Sequence, residues 1–261
     1  MIRLYISLLL ITIVIHAFED DDIDGVENSK DLCPNTSFED TVDKDGCPEN
    51  KDYWGKITLS IGSDINIDDS TTTDYNFFSN YNYKEWDFSV YSSQQSVLDT
   101  NNNETQSAGD LYLSSSYNIN SDKLYTKLTL GTKIATGDSE ISTGERDYFT
   151  NLHISYALTN ELAILSSLSY TLTGDSNETS YNNPIGYSLG LGYMINEKWY
   201  SSLTYQNTDS IYEDSENYQS ISFFNSYNFT NNFFGTMSYT KGMDDLSYDQ
   251  TISIRLGVNF E

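Results

Sequence analysis

The 261-residue chain has few basic residues: 13 lysines and arginines stand against 39 aspartates and glutamates, for a formal net charge of -26. Nucleic-acid binding depends on lysine and arginine contacts to phosphate, so this composition argues against nucleic acid as a partner. Strongly acidic chains are often disordered, but disordered segments are poor in aromatic residues. Aromatics make up 14% of this chain, including 22 tyrosines, which predicts a folded protein.

Proline is also scarce: the chain has 3 prolines, and only Pro184 lies beyond residue 52. No stretch after Tyr53 shows the period of an amphipathic helix. Runs that alternate apolar and polar residues recur instead, separated by stretches rich in Asn, Thr, Ser, Asp and Gly. The mean hydropathy of -0.50 does not exclude a membrane protein, because the strands of a membrane barrel are apolar on one side only.

Long apolar runs are absent except at the N-terminus, where residues 4–15 are preceded by Arg3 and followed by Ala17. This layout is typical of a secretory signal peptide, and we expect cleavage after Ala17, so that residues 1–17 form the signal. A single membrane helix is the alternative, but a bilayer requires about 20 apolar residues.

The chain has two cysteines, Cys33 and Cys47, both in one short segment. Export through a signal peptide delivers a protein to an oxidising compartment, where disulfides form and persist. We therefore predict a disulfide between these two residues.

Residues 18–52 are acidic, poor in apolar side chains and without periodicity, so they need a metal or a crosslink to offset their chain entropy. In calcium loops of the EF-hand type, alternate residues supply oxygen ligands and a glycine permits the turn. Gly25 takes the place of that glycine, and the predicted ligands are Asp20, Asp22, Asp24, the carbonyl of Val26, Asn28 and Asp31. An acidic, solvated linker is the alternative.

The motifs "DLCP" at residues 31–34 and "VDKDGCP" at residues 42–48 complete a pattern that resembles a thrombospondin type 3 repeat. The resemblance covers residues 20–48 and implies calcium as a cofactor. It also implies a role as a spacer next to an outer-membrane domain. Asp43 and Asp45, before Gly46, are candidates for a second set of ligands.

Twelve segments after Tyr53 alternate apolar and polar residues. The predicted strands cover residues 57–67, 75–83, 86–90, 111–119, 124–130, 152–158, 162–172, 185–195, 199–205, 221–229, 233–239 and 250–260. The last strand is the clearest, and its length matches the roughly 9–11 residues that a tilted strand needs to cross a bilayer.

The connections between these strands alternate in length. Short turns are predicted at residues 83–86, 118–123, 158–162, 195–199 and 229–233, and long loops near 68–74, 96–109, 135–146, 174–183, 208–217 and 242–247. Such alternation is typical of transmembrane barrels, with the short turns in the periplasm. We therefore predict an all-β fold, a 12-stranded antiparallel transmembrane β-barrel over residues 53–261, after a calcium- and disulfide-stabilised segment at 18–52. A soluble β-sandwich is the alternative, but nothing in it requires this alternation.

Aromatic residues cluster beside the short turns, as expected for a girdle at the membrane interface. They are Tyr83, Trp86, Tyr117, Tyr156, Tyr193, Trp199 and Tyr227. The aromatic girdle, the strand pattern and Phe260 near the end of the chain together form a sequence pattern. This pattern resembles that of the small outer-membrane transporter-like barrels of bacteria, including the phenol-degradation-pathway channels. The resemblance implies location in the outer membrane of a Gram-negative bacterium and contact with its lipid. It also implies insertion by the assembly machinery, with Phe260 as the signal, and uptake or diffusion of small solutes. The N-terminal segment is then periplasmic, where contact with peptidoglycan is a hypothesis.

Strand parity places eight charged or titratable residues on the inner face of the barrel. They are Lys56, Asp64, Asp87, Asp110, Lys127, Lys133, His153 and Arg255. Mixed charge in a narrow polar lumen favours a channel for small solutes, since rings of charged side chains set the selectivity of such pores. The alternative is that these charges pair across the lumen and close it.

Two other functions are alternatives to a channel. His153 and Ser155 have the spacing of the histidine and the serine nucleophile in outer-membrane phospholipase A. Parity puts both on the inner face, away from lipid, so we do not expect an enzyme. A structural or adhesion protein without conduction, displaying acidic loops such as residues 212–217, is the other alternative.

Overall fold

The computed structural model describes residues 26–33, 42, 44–47, 55–68, 71–98, 104–137, 145–175, 180–212 and 215–260. The chain divides into two compact units, Met1–Trp54 and Gly55–Glu261. In the described part of the chain, no helix is long and apolar enough to cross a membrane. The predicted signal peptide at residues 1–17 lies outside the described residues and stays a prediction.

The described residues of the second unit form twelve antiparallel β-strands. The strands are β1 (Lys56–Ile67), β2 (Thr71–Tyr83), β3 (Trp86–Leu98), β4 (Glu104–Asn120), β5 (Leu124–Ile134), β6 (Asp147–Ala157), β7 (Leu162–Leu172), β8 (Ile185–Asn196), β9 (Trp199–Thr208), β10 (Tyr218–Asn228), β11 (Phe233–Gly242) and β12 (Gln250–Phe260). Each strand pairs with its neighbours in the chain.

The sheet closes because β1 also pairs with β12, from Ile57 opposite Phe260 to Ile67 opposite Gln250. Closure removes the free strand edges that an open sheet would expose. The predicted twelve-stranded barrel is confirmed, and the β-sandwich is excluded.

The barrel is apolar outside and polar inside. Among the described residues no large apolar side chain is buried, whereas polar and charged ones are, such as Ser60, Asn76 and Asp87. Large apolar side chains on the outer face, among them Ile61, Leu189 and Leu203, remain more than half exposed at 66%, 59% and 54%. A surface this apolar around a polar interior matches a barrel surrounded by lipid.

Strand ends on the long-loop side differ from the prediction. Loops were predicted near residues 68–74 and 96–109, but β2 begins at Thr71, β3 continues to Leu98 and β4 begins at Glu104. Outward residues such as Ser92 and Gln94 are polar there, so the apolar alternation that marks a strand stops before the strand itself does. Strands of 13 and 17 residues exceed the roughly 9–11 needed for crossing, so their ends extend past the lipid.

A β-bulge interrupts the pairing of β3 with β4. Ser93 faces both Gly109 and Asp110, because the register shifts between Ser92 and Gln94. The extra residue allows Ser107 and Asp110, which are three positions apart, to be buried on the same side of the sheet at 5% and 7% exposure.

The aromatic residues beside the short turns form ring contacts on the outer face. Trp86 packs edge-on against Tyr117 with ring centroids 5.0 Å apart, and Tyr227 contacts Trp199 at 6.4 Å and Phe229 at 5.4 Å. Amphipathic rings at this level suit a membrane interface. Phe260 is exposed on the outer face, and its role as an insertion signal stays a prediction.

In the first unit, Cys33 and Cys47 form the predicted disulfide, with their Cα atoms 5.0 Å apart. The two short segments also pair through the backbone, since the Leu32 N–H donates to the Asp45 carbonyl at 2.9 Å. Gly46, before the second cysteine, has a φ of 75°, a conformation that glycine adopts readily. The disulfide is therefore confirmed.

Candidate functional site

The candidate site is the barrel lumen, where the charged residues fall into three clusters. The first surrounds Asp87 on β3, which is 6% exposed. The Lys127 Nζ on β5 lies 2.8 Å from Asp87 Oδ2, and Asn118 Nδ2 donates to the same oxygen at 2.8 Å. Asn80 and Asn82 on β2 donate to Oδ1 at 3.2 and 3.1 Å. One buried carboxylate thus joins four strands through one ion pair and three amide hydrogen bonds.

Tyr125 and His153 lie next to this cluster. The Tyr125 hydroxyl donates to Asn118 Oδ1 at 2.9 Å, and its ring packs edge-on against His153 at 6.2 Å. In the described part of the chain, His153 makes no ion pair with a carboxylate and no hydrogen bond to Ser155. A nucleophilic serine needs a base within hydrogen-bond reach and a third group to orient that base. The described geometry therefore does not support the phospholipase alternative.

The second cluster is centred on Lys133 of β5. Its Nζ lies 2.7 Å from Asp147 Oδ2 on β6 and 3.8 Å from Asp110 Oδ2 on β4. The three side chains are only 5%, 13% and 6% exposed, respectively. Asp110 Oδ1 also accepts the Gly137 N–H at 2.9 Å, and Asp147 Oδ1 accepts the Gly174 N–H at 2.9 Å. The cluster therefore fixes the starts of two long loops to the barrel wall.

The third cluster involves β1, β2 and β12. Asp64 and Asp74 lie directly opposite each other in the register of β1 and β2. Asn76 Nδ2 donates to Asp64 at 2.9 Å, and Asn66 Nδ2 donates to Asp74 at 2.8 Å. The Arg255 Nη2 donates to Asn76 Oδ1 at 3.0 Å. The two carboxylates are thus held by amide side chains.

Sequence reasoning missed two of these carboxylates. The sequence predicts a loop at Asp74, because its outward neighbours Thr73 and Tyr75 do not form an apolar run. Asp147 lies before Leu152, where the apolar alternation of its predicted strand begins. The signal that could have found it is the outward Tyr148, which extends the alternation of that strand backwards. Lys56 lies at the start of β1 and alternates with the outward Ile57.

A cavity of about 570 Å³ occupies the lumen beside these clusters. Its lining combines charged residues with aromatic rings and hydroxyls: Asp74, Asp110, Lys127, Phe78, Tyr91, Tyr112, Phe149, Ser89, Ser93, Ser114, Ser116 and Thr129, with Gln95 and Gly109. Tyr91 and Tyr112 are in edge contact at 5.8 Å, and Tyr112 lies 6.3 Å from Phe149. The cavity therefore offers polar and aromatic surface to a small molecule.

Glycines on the inner face hold aromatic rings against the wall. Phe149 lies directly opposite Gly131, and Phe234 lies directly opposite Gly257. A Cβ atom at either glycine would collide with the facing ring. The absence of side chains at these two positions leaves each ring room beside the sheet, as in aromatic rescue of glycine.

The inner surface divides into two walls. The charged wall comprises β12 and β1–β6, which carry all three clusters. The neutral wall comprises β7–β11, whose only charged residue, Lys241, points outward and lies 3.2 Å from Asp249. Hydroxyl pairs line the neutral wall, such as Ser167 with Ser188 at 2.6 Å and Thr240 with Ser222 at 3.0 Å.

Asp244 anchors the loop between β11 and β12. Its Oδ1 accepts the N–H groups of Leu246 and Ser247 at 2.8 Å each, its Oδ2 accepts the Ser247 hydroxyl at 2.7 Å, and the Gln219 N–H also donates to it. Partial burial acts to raise the pKa of Asp244, but the hydrogen bonds from Ser247, Gln219 and Leu246 outweigh burial and lower it.

A lowered pKa in the folded protein means that this anchor is complete above the unfolded Asp pKa of about 3.9 and is lost as the pH falls through the folded value. We expect Asp244→Asn to raise amide hydrogen exchange at Gln219 at neutral pH, because the side-chain Nδ2 that replaces Oδ2 cannot accept the Gln219 N–H, whereas the remaining oxygen can still accept those of Leu246 and Ser247. The exposed neighbour provides the control, Asp245→Asn, which should leave exchange unchanged. Equal exchange in both variants would contradict the anchor.

The predicted calcium ligands are only partly described. Asp20, Asp22 and Asp24 lie outside the described residues. Among those described, Asn28 is exposed and Asp31 Oδ1 accepts the Cys33 N–H at 2.8 Å. The described residues contain no group of three or more acidic, histidine or cysteine side chains placed to hold a metal. Calcium binding stays a prediction.

No protein-family model matches the chain, and no curated protein is similar to it. Solved structures share its fold. An outer-membrane channel from Pseudomonas putida F1 is 13% identical, with 81% of this chain and 99% of that chain covered and a TM-score of 0.64. The KdgM porin is 11% identical, with 77% and 98% covered and a TM-score of 0.53. The NanC porin is 14% identical, with 78% and 99% covered and a TM-score of 0.51. At these identities the similarity shows the fold alone.

Proposed function

We propose that the protein is an outer-membrane channel for small polar solutes. The observation that carries this proposal is the direction of the ion pairs. Lys127 with Asp87, and Lys133 with Asp110 and Asp147, all join strands of the charged wall. The paired strands are at most two apart: β3 and β5, β4 and β5, and β5 and β6. Among the described residues the lumen ion pairs therefore run along the wall rather than across the lumen, and they do not close the barrel as the alternative required.

The composition of the two walls supports the same function. Ion pairs compensate Asp87, Asp110 and Asp147 on one wall, and hydroxyl groups line the other, so both walls offer polar groups to a passing solute. The solved outer-membrane channel and the two porins that share the fold are consistent with this function. A purely structural or adhesive protein would not need a polar cavity of about 570 Å³ inside its barrel.

A swelling assay of liposomes tests the proposal. Liposomes that contain the refolded chain should swell in a monosaccharide faster than in a trisaccharide, because a narrow lumen selects by size. Ser188→Trp places a large ring on the inner face of β8 and should slow swelling severalfold. Leu189→Trp places the same ring on the lipid-facing side and is the matched control. Equal swelling by both variants, or none with the parent protein, would contradict a conducting lumen.

The N-terminal segment is proposed to be a calcium-binding spacer in the periplasm. The disulfide from Cys33 to Cys47 and the spacing of the acidic residues support this part of the proposal. A periplasmic location follows if the short turns are periplasmic, since β1 begins at the short-turn end of the barrel. Calcium titration of the full chain by calorimetry should show binding that Asp22→Asn with Asp24→Asn abolishes. Glu39→Gln with Asp40→Asn removes equal charge and should retain it.

A further inference from the structure

The two ends of the barrel differ strongly in charge. The described residues of the long-side connections, at 68, 135–137, 145–146, 173–175, 180–184, 209–212, 215–217 and 243–249, include eight acidic residues and one basic residue, Arg146. The short-side connections cover residues 84–85, 121–123, 158–161, 197–198 and 229–232, and they contain four acidic residues and three lysines. The long-loop mouth therefore attracts cations and repels anions.

The lumen adds a second, independent contribution of the same sign. Asp87, Asp110 and Asp147 each have a lysine partner within 4.0 Å. Among the described residues, Asp64 and Asp74 make no ion pair with lysine or arginine, and amide groups hold them instead.

Arg255 is the cation of this cluster, and its Nη2 bonds to Asn76 Oδ1 rather than to either carboxylate. Asp64 and Asp74 lie directly opposite each other on neighbouring strands, and like charges in this arrangement destabilise a sheet. No arginine or lysine in the described residues offsets this repulsion through an ion pair with either carboxylate. Their negative charge is consequently available to a solute in the lumen.

The cavity gives this charge a place to act. Asp74 borders it, together with the rings of Phe78, Tyr91 and Tyr112. Aromatic faces attract cations through their quadrupole, so carboxylate and rings favour the same class of solute. An anion would meet the same groups unfavourably.

We propose that the channel prefers cations to anions, and that Asp64 and Asp74 determine this selectivity inside the lumen while the acidic long loops determine it at the mouth. This inference rests on the proposed channel function. The expected solutes are small monovalent cations, including organic amines.

Reversal potentials across a planar bilayer in a potassium chloride gradient test the proposal. The full chain should be more permeable to potassium than to chloride. Asp64→Asn with Asp74→Asn should lower the permeability ratio roughly two- to fivefold, the size expected for unit charges acting at close range across water. The amides can keep the hydrogen bonds from Asn76 and Asn66, and heat-modifiable gel mobility checks that the variant is folded. Glu85→Gln with Glu197→Gln removes equal charge from exposed short turns and should change the ratio little.

Salt concentration separates the mouth from the lumen. The Debye length falls from about 10 Å at 0.1 M salt to about 3 Å at 1 M. Neutralising the acidic residues of the loop at residues 209–217 should therefore lower the permeability ratio at low salt but not at high salt. The Asp64 and Asp74 substitutions should lower the ratio at both salt concentrations. A ratio at or below one, or one that these substitutions leave unchanged, would overturn the selectivity while leaving a channel. Absence of any current would overturn the channel itself and the selectivity with it.

Discussion

Replacing Lys133 with methionine should lower the free energy of unfolding of the barrel by about 3–5 kcal/mol, because it leaves two buried carboxylates without their cation. Lys133 lies between Asp110 and Asp147, and all three side chains are nearly inaccessible to solvent. The methionine fills a similar volume, so the loss reports charge rather than packing. Urea unfolding of the refolded protein in lipid vesicles, followed by tryptophan fluorescence, measures the change.

Two variants separate this cause from a general effect of losing a lysine. Lys241→Met removes a cation from an exposed pair with Asp249, where the side chains are 49% and 65% exposed, and should cost no more than about 1 kcal/mol. Combining Lys133→Met with Asp110→Asn and Asp147→Asn should restore much of the stability, because no uncompensated charge remains. A triple variant less stable than Lys133→Met alone would contradict this explanation.

Replacing Gly131 with valine should reduce the conductance of the pore and cost about 1–3 kcal/mol of stability through overpacking. A Cβ atom at Gly131 would collide with the ring of Phe149 on the opposite strand. The same Cβ atom would lie 2.8 Å from the Leu113 carbonyl oxygen. The ring must then turn away from the wall into the lumen. Single-channel conductance and urea unfolding measure the two effects.

The outer face provides the matched control for this prediction. Gly235 on β11 faces lipid, and a Cβ atom there would lie 2.9 Å from the ring of Phe229. Gly235→Val should therefore cost stability without changing conductance. Adding Phe149→Ala to Gly131→Val removes the displaced ring and should restore conductance. If both glycine variants reduced the conductance equally, the ring would not be the cause.

The parts of the fold that face lipid were predictable from the sequence. Strand β7 was predicted over its whole extent, Leu162–Leu172, because lipid requires an apolar residue at most of the outward positions. The N-terminal part of β4, which begins at Glu104, was not predicted as a strand. It extends beyond the lipid, where outward residues need not be apolar. The same reason placed Asp74 in a loop. Strand prediction by apolar alternation thus ends where the membrane ends.

The partners of the lumen charges could not be predicted in the same way. Inward orientation follows from parity along one strand, but pairing depends on the tilt and register of several strands together. Asp87 on β3 pairs with Lys127 on β5, across the intervening β4. Lys133 pairs with Asp147, which was not recognised as part of a strand. Only the closed barrel shows that these pairs follow one wall.

The central claim is that the ion pairs leave the lumen open, and single-channel recording tests it most directly. The full chain is refolded, shown to be folded by heat-modifiable gel mobility, and incorporated into a planar bilayer. Discrete, reproducible current steps are expected, smaller in Ser188→Trp and unchanged in Leu189→Trp. Incorporated, folded protein that carries no current would contradict the claim.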